Sequence, residues 1–75
     1  MFEQKYKQIG LKIAYYRKMR GYTQIQLAKR AKISTSYLSR IERGTYNKSV
    51  SLSVIFILAQ ALAIDIIELI NDKNP

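Results

Sequence analysis

The sequence predicts an all-α fold of five short helices. Three observations predict it. Apolar residues recur every three or four positions along most of the chain. Five segments open or close on residues that cap helices, and no stretch alternates with the period of a strand. The 75 residues leave room for one small domain, residues 1–75. A core this small gives thin stability on its own. There is no cysteine and no histidine, which excludes disulfides and the usual zinc sites and fits a reducing, cytoplasmic setting. No cofactor, metal or small-molecule ligand is expected.

In the first helix Phe2, Tyr6, Ile9, Ile13 and Tyr16 mark one apolar face, and Gly21 stops it. Lys5, Lys7, Lys12, Arg17, Lys18 and Arg20 fall mostly off that face. Gly10 inside the helix is expected to weaken it by roughly 1 kcal/mol relative to alanine. The second helix starts at Thr23, which forms a capping box with Gln26, and Leu27, Ala28 and Ala31 are its buried stripe. Lys32-Ile33-Ser34 is a turn. Ser34 caps a third helix from Thr35 to about Arg43, with Leu38 and Ile41 buried and Gly44 closing it. Thr45 to Val50 reads as a loop. Ser51 caps a fourth helix, Leu52 to about Leu62. Asp65 and Glu68 are expected to form a second capping box for a short fifth helix, Ile66–Ile70. The polar tail from Asn71 to Pro75 is expected to fray.

The net charge of +8 is unevenly placed. Residues 1–48 hold twelve Lys/Arg and two acids, whereas residues 49–75 hold Lys73 against Asp65, Glu68 and Asp72. Phosphate backbones attract such a basic surface, and binding releases condensed counterions. An anionic membrane or an acidic protein is attracted by the same charge, so charge alone does not choose the partner. Met1-Phe2-Glu3-Gln4-Lys5 leads into a charged segment without the apolar run of a signal peptide. The longest uncharged stretch, Ser49 to Ile64, is shorter than the roughly 20 residues of a spanning helix and reads as a buried helix.

Two short helices joined by a three-residue turn outline a helix-turn-helix. Ala28 is small where the two helices cross, and Leu27, Ile33, Leu38 and Ile41 bury the crossing. The third helix then presents Thr35, Ser36, Tyr37, Ser39, Arg40 and Arg43 outward. A helix of this width fits the major groove, where each base pair shows its own donor and acceptor pattern.

The run Thr23-Gln24-Ile25-Gln26-Leu27-Ala28, the turn, and Ser34, Ser39, Glu42 and Gly44 resemble the phage repressor/Cro-like family of helix-turn-helix regulators. That family shows Thr-Gln-x-x-Leu-Ala, a turn, then Ser-x-x-x-x-Ser-x-x-Glu-x-Gly. The resemblance covers roughly residues 9–70 and implies a five-helix, lambda-repressor-like domain on double-stranded DNA, with its motif at 23–44. It implies Thr35, Ser36, Tyr37 and Arg40 as base readers. Gln24, Ser39, Arg43, Tyr46, Asn47 and Lys48 are implied as phosphate contacts, and Arg17 as the ion-pair partner of Glu42. Arg40 suits a bidentate contact to guanine. Lys32 departs from the family, which usually has glycine there; a left-handed lysine costs roughly 1 kcal/mol.

Six tyrosines invite a stacking role on single strands, but Tyr6 and Tyr16 fall on the apolar face, and only Tyr37 and Tyr46 sit where DNA is expected. From Val50 to Ile70, sixteen of twenty-one residues are apolar, more than one surface helix needs. Phe56, Ile64, Ile66, Ile67 and Ile70 are expected to form a homodimer interface. Two-fold symmetry then predicts a palindromic operator. The reading is a DNA-binding transcriptional repressor acting as a homodimer, not an enzyme and not a membrane protein. The alternatives are an antitoxin or other interaction protein that binds a partner through its apolar C-terminal half, and a membrane-surface peptide.

Overall fold

Side-chain caps mark the start of three of the five helices. The computed structural model describes residues 2–44 and 50–72. Helices run α1 Glu3–Met19, α2 Gln24–Ala31, α3 Thr35–Arg43, α4 Leu52–Ala61 and α5 Ile67–Ile70. Thr23 Oγ1 accepts from the Gln26 N–H at 3.1 Å, and Gln26 Oε1 accepts from the Thr23 N–H at 2.8 Å. Ser34 Oγ accepts from Tyr37 N–H at 3.0 Å, and Ser51 Oγ from Val54 N–H at 3.2 Å. Each bond satisfies a backbone donor that the helix itself leaves free.

The helix ends use left-handed residues. Lys32 takes φ 58° and ψ 40°, and the next N–H, of Ile33, closes on the Ala28 carbonyl at 3.0 Å. The lysine therefore carries the conformation that glycine favours, at a cost of about 1 kcal/mol. Ala63 does the same after α4, at φ 57°. There the Arg20 guanidinium donates to the carbonyls of Leu62 and Ala63 at 2.8 and 3.1 Å, covering oxygens the helix leaves open.

The core joins Ile9 and Ile13 of α1, Leu27, Ala28 and Ala31 of α2, and Leu38 and Ile41 of α3. Ile55, Leu58, Ala59 and Leu62 close it from α4, with Leu69 from α5. Helix α1 packs on α3 and α5, while α2 packs on α3 and α4. Among the described residues no helix is long and apolar enough to cross a membrane.

Several local expectations need correction. Phe2 is exposed, its ring edge-on to Tyr6 at 6.5 Å between centres, because it precedes the first turn and lies past the core. The capping box of Asp65 and Glu68 does not form. Asp65 Oδ1 accepts from Ile67 N–H at 3.1 Å, but the Glu68 carboxylate accepts from the Tyr16 hydroxyl at 3.1 Å. A single turn leaning on α1 offers Glu68 a tertiary donor in place of its own N-cap. Partial burial, together with that contact, raises the Tyr16 pKa. The first two residues of the tail make contacts with α1. Lys12 is buried and donates to Asn71 Oδ1 at 2.7 Å and to the Asn71 carbonyl. Lys5 pairs with Asp72 and holds that carboxyl below its usual range.

Gly10 changes meaning in three dimensions. A Cβ built there would stand 2.1 Å from the Ile41 carbonyl oxygen. Glycine is thus what allows α1 and α3 to touch backbone to backbone. Helix propensity alone would make Gly10→Ala stabilising by about 1 kcal/mol. We expect the opposite sign, a loss of about 1–3 kcal/mol from overpacking, read as a lower urea midpoint. An unchanged or higher midpoint would show that the helices separate at little cost.

Candidate nucleic-acid interface

Helix α3 sends Leu38, Ile41 and Glu42 inward and leaves Ser36, Arg40 and Arg43 exposed. Thr35, Tyr37 and Ser39 are half-buried, and Tyr37 packs partly against the core. An open groove of about 560 Å³ runs between the start of α2 and the outer face of α3. Gln24, Thr35, Ser36, Ser39, Arg40 and Arg43 line it. Six of the residues expected to meet DNA therefore share one surface, and Tyr37 does not line it. Tyr46, Asn47 and Lys48 lie outside the described residues.

Beneath the groove lies a buried carboxylate. Glu42 accepts from Arg17 Nε at 2.8 Å and from Arg17 Nη2 at 3.1 Å. A third donor, Gln24 Nε2, reaches Glu42 Oε1 at 3.0 Å. Arg17 Nη1 also donates to the Tyr22 carbonyl at 2.8 Å. The fork of Arg17 thus satisfies both carboxylate oxygens and one loop carbonyl. This joins α1, the loop before α2, α2 and α3 in one network. The Gln24 contact was not foreseen, since eighteen residues of sequence separate the two groups. Gln24 stands at the groove's rim with its amide nitrogen already engaged.

Apolar side chains gather on the other half of the chain. Phe56, Ile67 and Ile70 are exposed, together with Leu52 and Ile57. Ile64 and Ile66 are only half exposed and pack against the core.

A short α2 crossing a polar-faced α3, locked from below by a buried Arg–Glu pair, defines a helix-turn-helix module. The chain belongs to the helix-turn-helix family of Cro/C1-type regulators, whose family model matches residues 13–69. It is similar to the immunity repressor protein of Bacillus phage phi105, at 42% identity over 66 residues. That match takes in 88% of this chain but 44% of the repressor, so the chain spans less than half of that relative.

Solved structures give the same fold. The restriction-modification controller protein C.AhdI from Aeromonas hydrophila superposes with a TM-score of 0.78 at 34% identity, over 85% of this chain and 94% of that one. The N-terminal DNA-binding domain of SinR from Bacillus subtilis gives 0.82 at 32% identity, over 92% and 99%. SinR, a master regulator for biofilm formation, in complex with DNA gives 0.77 at 33% identity, over 84% and 98%.

Removing one partner of a buried pair leaves the other uncompensated. Glu42→Ala is therefore expected to lose about 3–5 kcal/mol of folding stability, measured by thermal or urea unfolding. A loss below about 1 kcal/mol would mean that Arg17 simply turns to water.

Proposed function

We propose that this chain is a cytoplasmic, sequence-specific DNA-binding transcription regulator that sets α3 in the major groove of double-stranded DNA. The observation that carries this is the groove joining Gln24 to Thr35, Ser36, Ser39, Arg40 and Arg43 on a scaffold like that of DNA-bound SinR. Thr35 and Ser36 stand at the first turn of α3, the end that reaches base edges in such modules. Arg40 lies one turn further along the exposed face and suits the two acceptors of guanine. Gln24, Ser39 and Arg43 suit phosphates on either side, as do Tyr46, Asn47 and Lys48 further along the sequence. Tyr37 completes the reading set from its half-buried place.

Residues 1–75 act in this proposal as one DNA-binding module, and regulation needs no catalysis. The phi105 relative is an immunity repressor, and repression by occupying an operator is the simplest action open to such a module. The acting unit is a homodimer. Phe56, Ile67 and Ile70 expose an apolar surface on α4 and α5, away from the basic half, that a second copy would cover. Ile64 and Ile66 give that face its backing more than its contact.

Selection of duplex DNA from a random library at physiological salt tests the proposal. A palindrome with half-sites about one helical turn apart is expected. Binding that vanishes with salt and enriches no sequence would leave only a basic surface. Arg40→Ala is expected to cost about 1–3 kcal/mol and to relax preference at one position, whereas Gln24→Ala weakens all sequences alike. Phe56→Lys is expected to shift sedimentation from dimer to monomer; an unchanged dimer would place the interface elsewhere.

A further inference from the structure

A second apolar surface lies on α1, and neither the groove nor the α4–α5 face uses it. Leu11, Tyr15 and Met19 stand at i, i+4 and i+8, which places them in one row along the helix. They are 66%, 42% and 65% exposed. The row spans about 12 Å at 1.5 Å per residue. Two other sides of α1 are already occupied. Gly10 and Arg17 turn towards α3, while Lys12 and Tyr16 turn towards Asn71 and α5. Single exposed apolar residues are ordinary, but three large ones in register form a surface.

The middle of the row is set in advance. The Tyr15 ring meets Tyr16 edge-on, with centres 5.1 Å apart and planes at 84°, and the Tyr16 hydroxyl is itself held by Glu68. A fixed aromatic between a leucine and an adaptable methionine is the kind of group that anchors protein contacts.

Charge selects the occupant. Lys18 is exposed beside the row near one end, and Lys7, also exposed, stands one turn beyond the other end with its stem over Gly44. The sequence has no acid between Glu3 and Glu42, and Glu42 is buried against Arg17. A second copy docking α1 on α1 would bring like charges together. The α4–α5 face carries less of this charge, because residues 50–72 contain no lysine or arginine and the Lys5 that reaches them is paired with Asp72. We propose that the outer face of α1 docks an acidic amphipathic helix of a different protein. Its apolar residues would cover Leu11, Tyr15 and Met19, and its carboxylates would flank them at Lys7 and Lys18. Leu11, Tyr15 and Met19 do not line the groove between α2 and α3, so this partner would leave the groove open.

The test pans a random peptide library of about 15 residues, four helical turns, against the intact protein. A Leu11→Ser/Met19→Ser variant serves for counter-selection. Both positions are exposed, so its unfolding midpoint is expected to stay unchanged. Acidic amphipathic peptides are expected, gaining helical circular dichroism on binding. Their affinity should fall about tenfold on the double variant and fall again with Lys18→Glu, which leaves the apolar row intact. Added salt should weaken them and Phe56→Lys should not. The proposal is overturned if nothing is enriched over counter-selection, or if the selected peptides are neutral or basic. It is equally overturned if Phe56→Lys abolishes their binding. Loss of the dimer in the double variant would assign the row to self-association. Capture of the wild type alone by phosphatidylglycerol vesicles would assign it to membranes.

Discussion

A carboxylate taken out of water must be matched group for group, and Glu42 is matched by donors from two other helices. Those donors fix where α1, α2 and α3 meet. Arg17 brings in α1 and, through the Tyr22 carbonyl, the loop that leads into α2. Gln24 brings in the first residue of α2. The apolar contacts among Ile13, Leu27, Ala28, Leu38 and Ile41 supply most of the burial, but such contacts are non-directional and tolerate sliding. The hydrogen-bonded fork does not. It sets the angle at which α3 leaves the core, and so the outlook of every side chain on its far face.

Gly10 works with that network. The fork reaches from α1 to α3 only because the two backbones lie in contact, and at the closest point there is no room for a side chain. The same close approach places Lys7 over Gly44, where α3 ends. The first helix is thus a clamp on the back of α3, and the front of α3 is left to partners.

Much of this was legible in the sequence, and the legible part was local. Thr23, Gln26, Ser34 and Ser51 announce helix starts because a cap needs only its own next turn. Leu27, Ala28, Ala31, Leu38 and Ile41 announce the crossing by their spacing. What stayed hidden depended on distant partners. Arg20 caps carbonyls more than forty residues away, and Lys12 reaches Asn71 across fifty-nine. In sequence both read as ordinary cations on a solvated face. Gly10 reads as a defect until Ile41 is seen beside it. Glu68 misleads for a related reason: its spacing from Asp65 fits a capping box, but Tyr16 is a better-placed donor. In the groove, residue types pointed to α3, yet nothing in the spacing showed that Gln24 would share a carboxylate with Arg17.

The two lysines that hold Asn71 and Asp72 also bear on the order of events at the ribosome. Helix α1 precedes by more than fifty residues the groups that receive Lys12 and Lys5. Until residue 72 has emerged, Lys12 lacks the oxygens that accept its ammonium, and α1 lacks its α5 neighbour. Helices α2, α3 and α4 follow one another with short connections and can gather as they appear. Helix α1 can meet α3 as soon as Ile41 and Glu42 have appeared, but its other side waits for α5 and the two residues after it, and a product stalled before them would leave that side unseated.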